Sequence, residues 1–526
     1  MIASGARNRF TTLMGAGDIA GARGVFTLSA TLGAGLPTLL MIVILLFPDP
    51  ICRLLGATGG AAGLLSQTRG YLIGVAIGLP AMNLSRTLSV YMAIDNDRLL
   101  PVISSLVLTV VDIALDVIIA ASGGGTFGMG LATSVSHYAA LAVLLVHFRR
   151  EERLLRFTPS AVRWKEARVM LVRGLPVGIG RASNTLRTIV LNQSLAWFAV
   201  AGCIAAYGVQ RQADSLLNPF IFGISDAMST LTGILSGEEN RHMLKWLTKD
   251  CLLLVCTFIL ALSALFWFLS PLFGALFFDD APEALELAVR AARCYAVGFP
   301  LCVLCHAYEG YLEGRGETRR NMILTFLSEG GFIVLAAFAL QPFMGIEAVW
   351  YASPVSQVLQ LLTIAVIILI RNRREKTRPK DFWEWFMGLP EDFDVPECDR
   401  IDRTITGKDE VISLSRDAWD FCEKHGCDPR RKYYISLAVE ELATNTVTYG
   451  FRPGRHNCID MRILKKKDEY ILRIRDNCEI FDPVKQLQLY DASSPVHHIG
   501  LKLALCSARE AQYTTVLKLN NLVIRI

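Results

Sequence analysis

The sequence predicts an α-helical polytopic membrane bundle of about ten transmembrane helices in two pseudo-repeat lobes, followed by a cytoplasmic α+β domain. Three observations predict this architecture. Of the 526 residues, 52% are hydrophobic and 19% are charged, whereas a soluble globular chain has about 25% charged residues. Long apolar stretches alternate with short basic loops as far as Arg371, after which the chain becomes polar. The two halves of the apolar part also resemble each other.

A helix that crosses the hydrocarbon layer needs about 20 apolar residues. The stretches that meet this requirement are 27–47, 71–93, 99–121, 127–148, 186–208, 214–235, 251–273, 292–312, 322–341 and 345–370.

Basic residues predict the orientation, because cytoplasmic loops retain Lys and Arg. Basic clusters precede the first span and follow the fourth, sixth, eighth and tenth spans. If every span crosses, all these loops lie on one side, so we predict a multi-pass protein of the cell membrane with its C-terminal domain in the cytoplasm. The net charge is only +5 and lies mostly beside apolar spans, which favours membrane lipid over nucleic acid as a partner.

Two polar turns recur at nearly the same distance along the chain. YMAIDNDRLLPVI at 91–103 aligns with YLEGRGETRRNMI at 311–323, and MGAGD at 14–18 aligns with SGEEN at 236–240. Repeats of this kind build transporters with a central cavity. They predict an incomplete first lobe at 1–150 and a second lobe at 168–371.

By this alignment the first lobe lacks about 55 residues, roughly two helices. Either the chain is truncated at its start, or its first lobe is naturally incomplete. An incomplete lobe would leave part of the cleft open to lipid, so we expect the chain either to form a homodimer or to be poorly active in antiport.

Five glycine-rich or polar motifs stand out in the apolar part of the chain: LMGAGDIAGAR at 13–23, IDNDRLLP at 94–101, GTFGMGLATSVSH at 125–137, LEGRGETRRNM at 312–322 and GIEAVWYASPVSQ at 345–357. Through these motifs, residues 1–371 resemble the multidrug and toxic compound extrusion (MATE) transporters. The resemblance implies two helical lobes around a cleft that export small organic molecules in exchange for Na⁺ or H⁺. The family's first-lobe coupling aspartate lies on a helix that this chain does not have, which directs attention to the second lobe.

Ionisable side chains inside a membrane are costly, so each is a candidate for function. Arg86 and His306 occupy equivalent positions in the two repeats, and Glu309 lies one helical turn after His306. We predict that these three residues line the transport cavity and that Glu309 binds the ion or substrate. The alternative is that such groups only pair between helices and hold the bundle together.

Residues 372–398 are predicted to form a linker. Trp383, Trp385 and Phe386 in this linker lie either at the membrane surface, where amphipathic rings are favoured, or in a plain docking segment.

From residue 399 onward the pattern predicts helices on one face of a mixed sheet. Strands are expected near 400–406, 457–464, 469–475, 511–519 and 521–526, and helices near 408–425, 429–448 and 499–509.

The second of these helices carries Glu441 and Asn445, which are four residues apart and therefore share one face. The Asn445 amide can ligate the Mg²⁺ of a triphosphate while Glu441, the predicted catalytic residue, polarises an attacking oxygen. Asp476 ends a strand and can accept a hydrogen bond from an adenine amino group. Gly500, near the start of a helix that favours phosphate, and Lys502 complete the candidate site. We therefore predict ATP and Mg²⁺ as cofactors.

The order of these motifs resembles the histidine-kinase-like ATPases, particularly the anti-sigma-factor serine kinases. EELATN at 440–445, DNCEIFDP at 476–483 and HIGLKLA at 498–504 carry the resemblance within residues 399–526. It implies nucleotide binding.

Three whole-chain functions follow. The first is an efflux-type secondary transporter, an antiporter of small organic molecules, regulated by or coupled to the ATP-binding domain. The alternative is a membrane-anchored signalling protein whose tail is a Ser/Thr kinase acting on a cytosolic regulatory protein. ATP-driven pumping ranks last, because the tail has no P-loop pattern.

Overall fold

The structure is a computed structural model. It describes all residues except 56–62, 151–152, 198–202, 279–281, 375–378, 453, 468, 486–501, 504 and 506–507. The chain packs as two compact units: residues 1–29 with 157–393, the second-lobe unit, and residues 30–156 with 394–526, the first-lobe unit.

Helices dominate the chain as far as Arg374. They are α1 (Ile2–Ala16), α2 (Ile19–Leu46), α3 (Pro48–Leu54), α4 (Leu64–Ala76), α5 (Leu79–Met92), α6 (Leu99–Ser122), α7 (Gly125–Leu145), α8 (Lys165–Trp197), α9 (Cys203–Gly237), α10 (Arg241–Ala275), α11 (Pro282–Gly314), α12 (Thr318–Phe326), α13 (Phe332–Met344) and α14 (Ala348–Arg374). Among the described residues, eight helical stretches are long and apolar enough to cross a membrane, and nine if the bent pair α4–α5 forms one span.

Two of the predicted spans differ from the observed helices. The stretch 186–208 begins within α8, which already starts at Lys165, and its residues 198–202 lie outside the described part of the chain. The prediction placed this span too late in the sequence, because charged residues early in α8 interrupt its apolar stretch. The stretch 71–93 is bent by 43° between α4 and α5, where Pro80 opens α5 and cannot donate a backbone hydrogen bond.

The repeated turns share one backbone conformation, as the predicted duplication requires. Asn96 and Gly316 are both left-handed, with φ of +62° and +71°, and so are Gly17 and Glu239, with φ of +83° and +55°. In all four turns the N–H of the next residue donates to the carbonyl oxygen five residues earlier, at 2.9–3.1 Å. This is the hydrogen bond that commonly closes a helix C-terminus.

Within the second-lobe unit, α1 packs against α8 and α9 at glycine contacts. A Cβ atom at Gly5 would clash with the backbone of α8, and one at Gly15 or Gly237 would bring α1 and α9 into clash. Close approach at small residues is the usual way in which membrane helices pack.

The linker contains a short helix, α15 (Phe382–Met387), that docks on the second lobe. Trp383, Trp385 and Phe386 are partly buried against its helices, and Met387 is fully buried. The Tyr311 hydroxyl donates to the Met387 carbonyl oxygen at 2.8 Å. The geometry is therefore that of a docking segment.

The C-terminal domain contains five described strands and two long helices. They are β1 (Arg400–Ile405), α16 (Lys408–Lys424), α17 (Pro429–Asn445), β2 (Ile459–Lys466), β3 (Glu469–Asp476), β4 (Glu510–Val516) and β5 (Leu519–Arg525). The sheet order is β1-β2-β3-β5-β4, and every neighbouring pair is antiparallel. The prediction of a mixed sheet was therefore wrong for the described strands. The two-residue turn at Leu517 and Lys518 requires antiparallel pairing of β4 with β5.

Both helices bury an apolar face against one side of this sheet. Phe421 of α16 and Val439 of α17 share a core with Ile463, Leu472 and Ile524 of the strands. The predicted helix near 499–509 lies largely outside the described residues.

Candidate functional site

Two groups of polar residues are candidates, the first in the second lobe. There α11 places His306 and Glu309 one turn apart, with 9% and 6% of their surfaces exposed. The Glu309 carboxylate accepts hydrogen bonds from Ser328 at 2.9 Å, Gln360 at 3.2 Å and Thr325 at 3.4 Å. Ser328 lies in a π turn between α12 and α13, a local widening often found at functional sites. All three donors are neutral, so a buried carboxylate is held without charge compensation from them.

A second carboxylate lies beside this one. The Glu329 side chain accepts from Asn184 at 3.0 Å and lies 3.6 Å from Nε2 of His306. The other ring nitrogen of His306 lies 3.0 Å from the Cys302 carbonyl oxygen. The cluster therefore joins α8, α11, the π turn and α14 through an imidazole and two carboxylates.

The cluster contains an acceptor that no described group uses. The side-chain oxygen of Gln360 is buried and has no hydrogen-bond partner among the described residues. Together with the Glu309 carboxylate and nearby hydroxyls it offers oxygen atoms, the ligands that hard cations prefer. No three His, Cys, Asp or Glu side chains in the described part of the chain are grouped as a metal ion requires.

Arg86, the predicted partner of these residues in the cavity, lies on α5 with an exposed side chain. It belongs to the first-lobe unit, whereas His306 and Glu309 belong to the second-lobe unit. Its role in a shared cavity stays a prediction.

The second group lies in the C-terminal domain, where α17 carries Glu441 and Asn445. Asp428 caps the start of α17 and Pro429 occupies its first turn, as expected of a strong helix N-terminus. Glu441 and Asn445 are half-buried on one face near the other end. No hydrogen bond or ion pair from the described residues engages either side chain. Both are therefore available to a ligand.

Asp476 is the last residue of β3 and is buried. One of its carboxylate oxygens accepts from the Asn520 amide at 2.7 Å and from the Cys478 N–H at 3.0 Å. Burial raises the pKa of Asp476 above its usual range, although the Asn520 hydrogen bond opposes the shift. Burial also raises the pKa of the adjacent Cys478 thiol to about 12, so this thiol stays neutral.

The chain segments that follow α17 and β3 lie against each other. The Glu479 N–H donates to the Gly450 carbonyl oxygen at 3.0 Å, and a Cβ on Gly450 would lie 3.1 Å from that of Cys478. The fold thereby brings the end of α17, with Asn445, to the end of β3, with Asp476. This juxtaposition fits a nucleotide held between the two.

The structure gives less information about the two residues that were predicted to contact the phosphates. Gly500 lies outside the described residues, and the Lys502 side chain is exposed. A cavity of about 400 Å³ opens elsewhere in the domain. Its lining residues are Asp428, Arg430, Arg431, Tyr434, Leu503, Arg509 and Ile526. It lies near the start of α17, at the opposite end from Asn445, and one of its lining residues, Leu503, directly follows Lys502 in the chain.

Comparison with known proteins decides the family. The family model described as MatE matches residues 1–118 and 176–338, more than half of the chain. This chain belongs to the MATE transporter family. It is therefore a multi-pass membrane protein of a multidrug efflux family. A model of the histidine kinase-like ATPase domain matches residues 408–526, so this MATE protein carries that domain as a C-terminal fusion.

Similar proteins agree with this assignment. The multidrug export protein MepA of Staphylococcus aureus is 23% identical over 376 residues, which are 70% of this chain and 81% of MepA. An outward-facing multidrug resistance MATE transporter of the MOP superfamily superposes with a TM-score of 0.65 at 20% identity, over 72% of this chain and 84% of that one. The Vibrio cholerae MATE transporter VcmN gives 0.63 at 15% identity, over 71% and 84%. At these identities the two solved structures show that the fold is shared.

Sequence reasoning missed three residues that the MATE fold and its appended domain place at the candidate sites. Ser328 and Gln360 are ordinary polar residues in apolar helices, and Asn520 lies in a polar strand end. The presence of polar side chains within apolar stretches was a weak signal for Ser328 and Gln360. Nothing in the sequence marked Asn520, because its pairing with Asp476 arises only when β5 lies beside β3.

Proposed function

We propose that this MATE protein exports small organic molecules in exchange for Na⁺ or H⁺, and that Mg²⁺-ATP binding to its C-terminal domain regulates the exchange. The observation that carries the transport part is the Glu309 carboxylate, buried in the second lobe among neutral donors.

A buried carboxylate in hydrocarbon is unfavourable unless a proton or cation neutralises it. Ion binding at Glu309 therefore changes the free energy of the cluster strongly. The adjacent His306 and Glu329 can redistribute the charge when a cationic substrate arrives. Competition of ion and substrate for one negatively charged cluster is sufficient for exchange, since each favours a different conformational state.

In the C-terminal domain the Asn445 amide would hold Mg²⁺, with Glu441 one turn away on the same face. Asp476 would accept from the adenine amino group, and Lys502 would contact the phosphates. Bound Mg²⁺ supplies the positive charge that screens the triphosphate. ATP is cytosolic, which supports a cytoplasmic position for this domain, as the basic loops do.

The test is Glu309→Gln, which keeps the shape and hydrogen-bonding capacity of the side chain but cannot carry the exchangeable charge. In proteoliposomes with imposed Na⁺ or H⁺ gradients, exchange of a cationic dye should fall at least tenfold, about 1.4 kcal/mol of lost coupling. Glu283→Gln, at an exposed position early in α11, is the matched control and should leave exchange unchanged. Full gradient-driven exchange by Glu309→Gln would contradict the assignment of the ion site. The gradient that drives transport identifies the ion.

A further inference from the structure

The turn that joins β4 to β5 contacts the turn that joins α5 to α6, residues 94–97, which we name the first-lobe turn. Both belong to the first-lobe unit. Asn96 makes two of the contacts. Its amide nitrogen donates to the Thr515 carbonyl oxygen at 2.9 Å, and its amide oxygen accepts from the Lys518 N–H. One side chain thus binds both sides of the hairpin end.

The repeat shows that this side chain is not needed to form the turn. Asn96 and Gly316 occupy equivalent positions with nearly the same left-handed backbone, and Gly316 closes its turn with no side chain. Glycine is the least strained residue in this conformation, and asparagine is among the most tolerant of the others. The additional feature of Asn96 is the amide that holds the hairpin.

The β4–β5 turn depends on outside contacts as well. Leu517 and Lys518 both have left-handed backbone, with φ of +55° and +63°. Two-residue hairpin turns of this geometry favour Asn-Gly, and leucine is an unfavourable choice. The Leu517 N–H donates to the Ile94 carbonyl oxygen at 3.3 Å. The first-lobe turn therefore engages the backbone N–H of both turn residues.

Within the C-terminal domain the docked residues adjoin the candidate nucleotide site. Thr515 on β4 pairs directly with Asn520 on β5. The Asn520 amide in turn donates to Asp476 at 2.7 Å. A change at Asp476 can thus reach the docked hairpin end through one hydrogen bond, from Asn520, and one cross-strand pair, Asn520 with Thr515.

On the other side, the residues that flank Asn96 hold the loop that follows α7. Asp95 and Asp97 bind the two ring nitrogens of His147 at 2.8 and 3.0 Å. Asp95 also accepts from the N–H groups of Leu154 and Leu155 at 2.9 and 3.1 Å. This loop continues along the chain into α8, the first helix of the second lobe. The first-lobe turn is therefore tied to the connection between the lobes.

We propose that the first-lobe turn is the docking surface for the β4–β5 turn, and that docking and nucleotide binding at Asp476 are coupled. The coupling part rests on the nucleotide site proposed above, whereas the docking part does not. Because coupling between two equilibria is reciprocal, a nucleotide that stabilises the docked hairpin is bound more tightly when the hairpin is docked.

The docking test is amide hydrogen exchange on the full chain in detergent, without nucleotide. Asn96→Gly keeps the left-handed turn and removes only the amide. It should speed exchange at Leu517 and Lys518 roughly five- to tenfold, the effect of losing one or two hydrogen bonds. Lys518→Gly, which suits the turn and keeps its backbone N–H, is the control and should retain the protection at Leu517. Equal exchange in wild type and Asn96→Gly would overturn the docking.

The coupling test adds Mg²⁺-ATP to the same two proteins. In wild type, exchange at residues 94–97 should change about fivefold, at the low end of ordinary coupling energies, and Asn96→Gly should lose this response. The ATP affinity of Asn96→Gly, measured by calorimetry, should change by the same factor. ATP binding without any change at residues 94–97 would overturn the coupling and leave the nucleotide site intact. Absence of ATP binding to wild type would instead overturn the nucleotide site, and the docking would still be judged by Asn96→Gly without nucleotide.

Discussion

At the scale of single residues, the two candidate sites each depend on a buried carboxylate. Glu309 is held by hydroxyl and amide donors, and Asp476 by the Asn520 amide and a backbone N–H. Burying a carboxylate among uncharged partners is unfavourable. A ligand that donates a hydrogen bond or brings positive charge therefore stabilises a buried carboxylate more than an exposed one. For Asp476 that ligand is the proposed adenine amino group.

Asp476 should therefore make nucleotide binding dependent on pH. Burial raises its folded-state pKa, so the folded domain retains this proton to a higher pH than the unfolded chain does. The ionised form, which accepts the adenine hydrogen, consequently disappears earlier on acidification than for an exposed aspartate. The free energy of unfolding should also fall as the pH rises from the pKa of Asp476 in the unfolded chain to its higher pKa in the folded domain.

Calorimetry of ATP binding over a pH series checks this expectation. Affinity should fall with decreasing pH in wild type, beginning above about pH 4, where an ordinary aspartate titrates. In Asp476→Asn the affinity should be lower and its pH slope shallower. The ligand titrates alike in both experiments, so the difference in slope reports Asp476. Identical slopes would rule out a role of this carboxylate in binding.

At the scale of elements, two short segments attach the C-terminal part to the membrane helices. One is the β4–β5 turn, and the other is α15 in the linker. Next to α15, Asp381 pairs with Lys245 of α10, whose hydrogen bond lowers the pKa of Asp381. Arg371 at the end of α14 is almost fully buried and donates to the Met387 carbonyl oxygen of the linker at 3.1 Å. Lys245 and Arg371 belong to the basic clusters that predict the orientation in the membrane. Both therefore also contact the linker.

The docking of α15 should depend on Met387. This side chain is 0% exposed and lies in the second-lobe core cluster. Met387→Ala should cost about 2–5 kcal/mol of local docking energy. Proteolysis of the segment 381–393 in detergent should then be at least tenfold faster. Phe382→Ala, in the same helix but at a side chain that is 60% exposed, is the control and should change the rate little. Equal rates for the two variants would show that α15 is not held by its buried face.

At the scale of the whole molecule, a MATE transporter and a histidine kinase-like ATPase domain share one chain. A secondary transporter takes its free energy from the ion gradient, so a bound nucleotide is expected to modulate the rate rather than drive the substrate. The helices and the family of the membrane part support its role as a secondary transporter. A dimer that completes the first lobe stays a prediction.

Asn445→Ala separates regulation from the competing functions. It should abolish metal-dependent ATP binding and remove any ATP effect on exchange, while gradient-driven exchange itself persists. Thr444→Ala, at the exposed neighbouring position, is the control. ATP-driven accumulation of substrate without an ion gradient would instead indicate a pump. If Glu441→Ala abolishes phosphorylation of a cytosolic protein and leaves transport intact, the signalling function is favoured.

The sequence by itself determined the order of elements, because hydrophobic length and period are local properties. Ten apolar stretches gave nearly all the spans, and the five strands and two long helices of the tail lie close to their predicted bounds. It also marked Glu309 and His306 as candidates for function, since an ionisable group in an apolar helix is conspicuous. Glu441, Asn445 and Asp476 stood out through the order of their motifs.

Only the tertiary structure decided which residues meet. Ser328 and Gln360 at Glu309, Asn520 at Asp476, and Asn96 at the β4–β5 turn are contacts between segments far apart in the chain. Their side chains are polar but unremarkable in sequence. A hydrogen bond depends on distances of a few tenths of an ångström between groups that the backbone must first bring together. Local patterns fix the elements, whereas the packing of those elements decides which polar groups become partners.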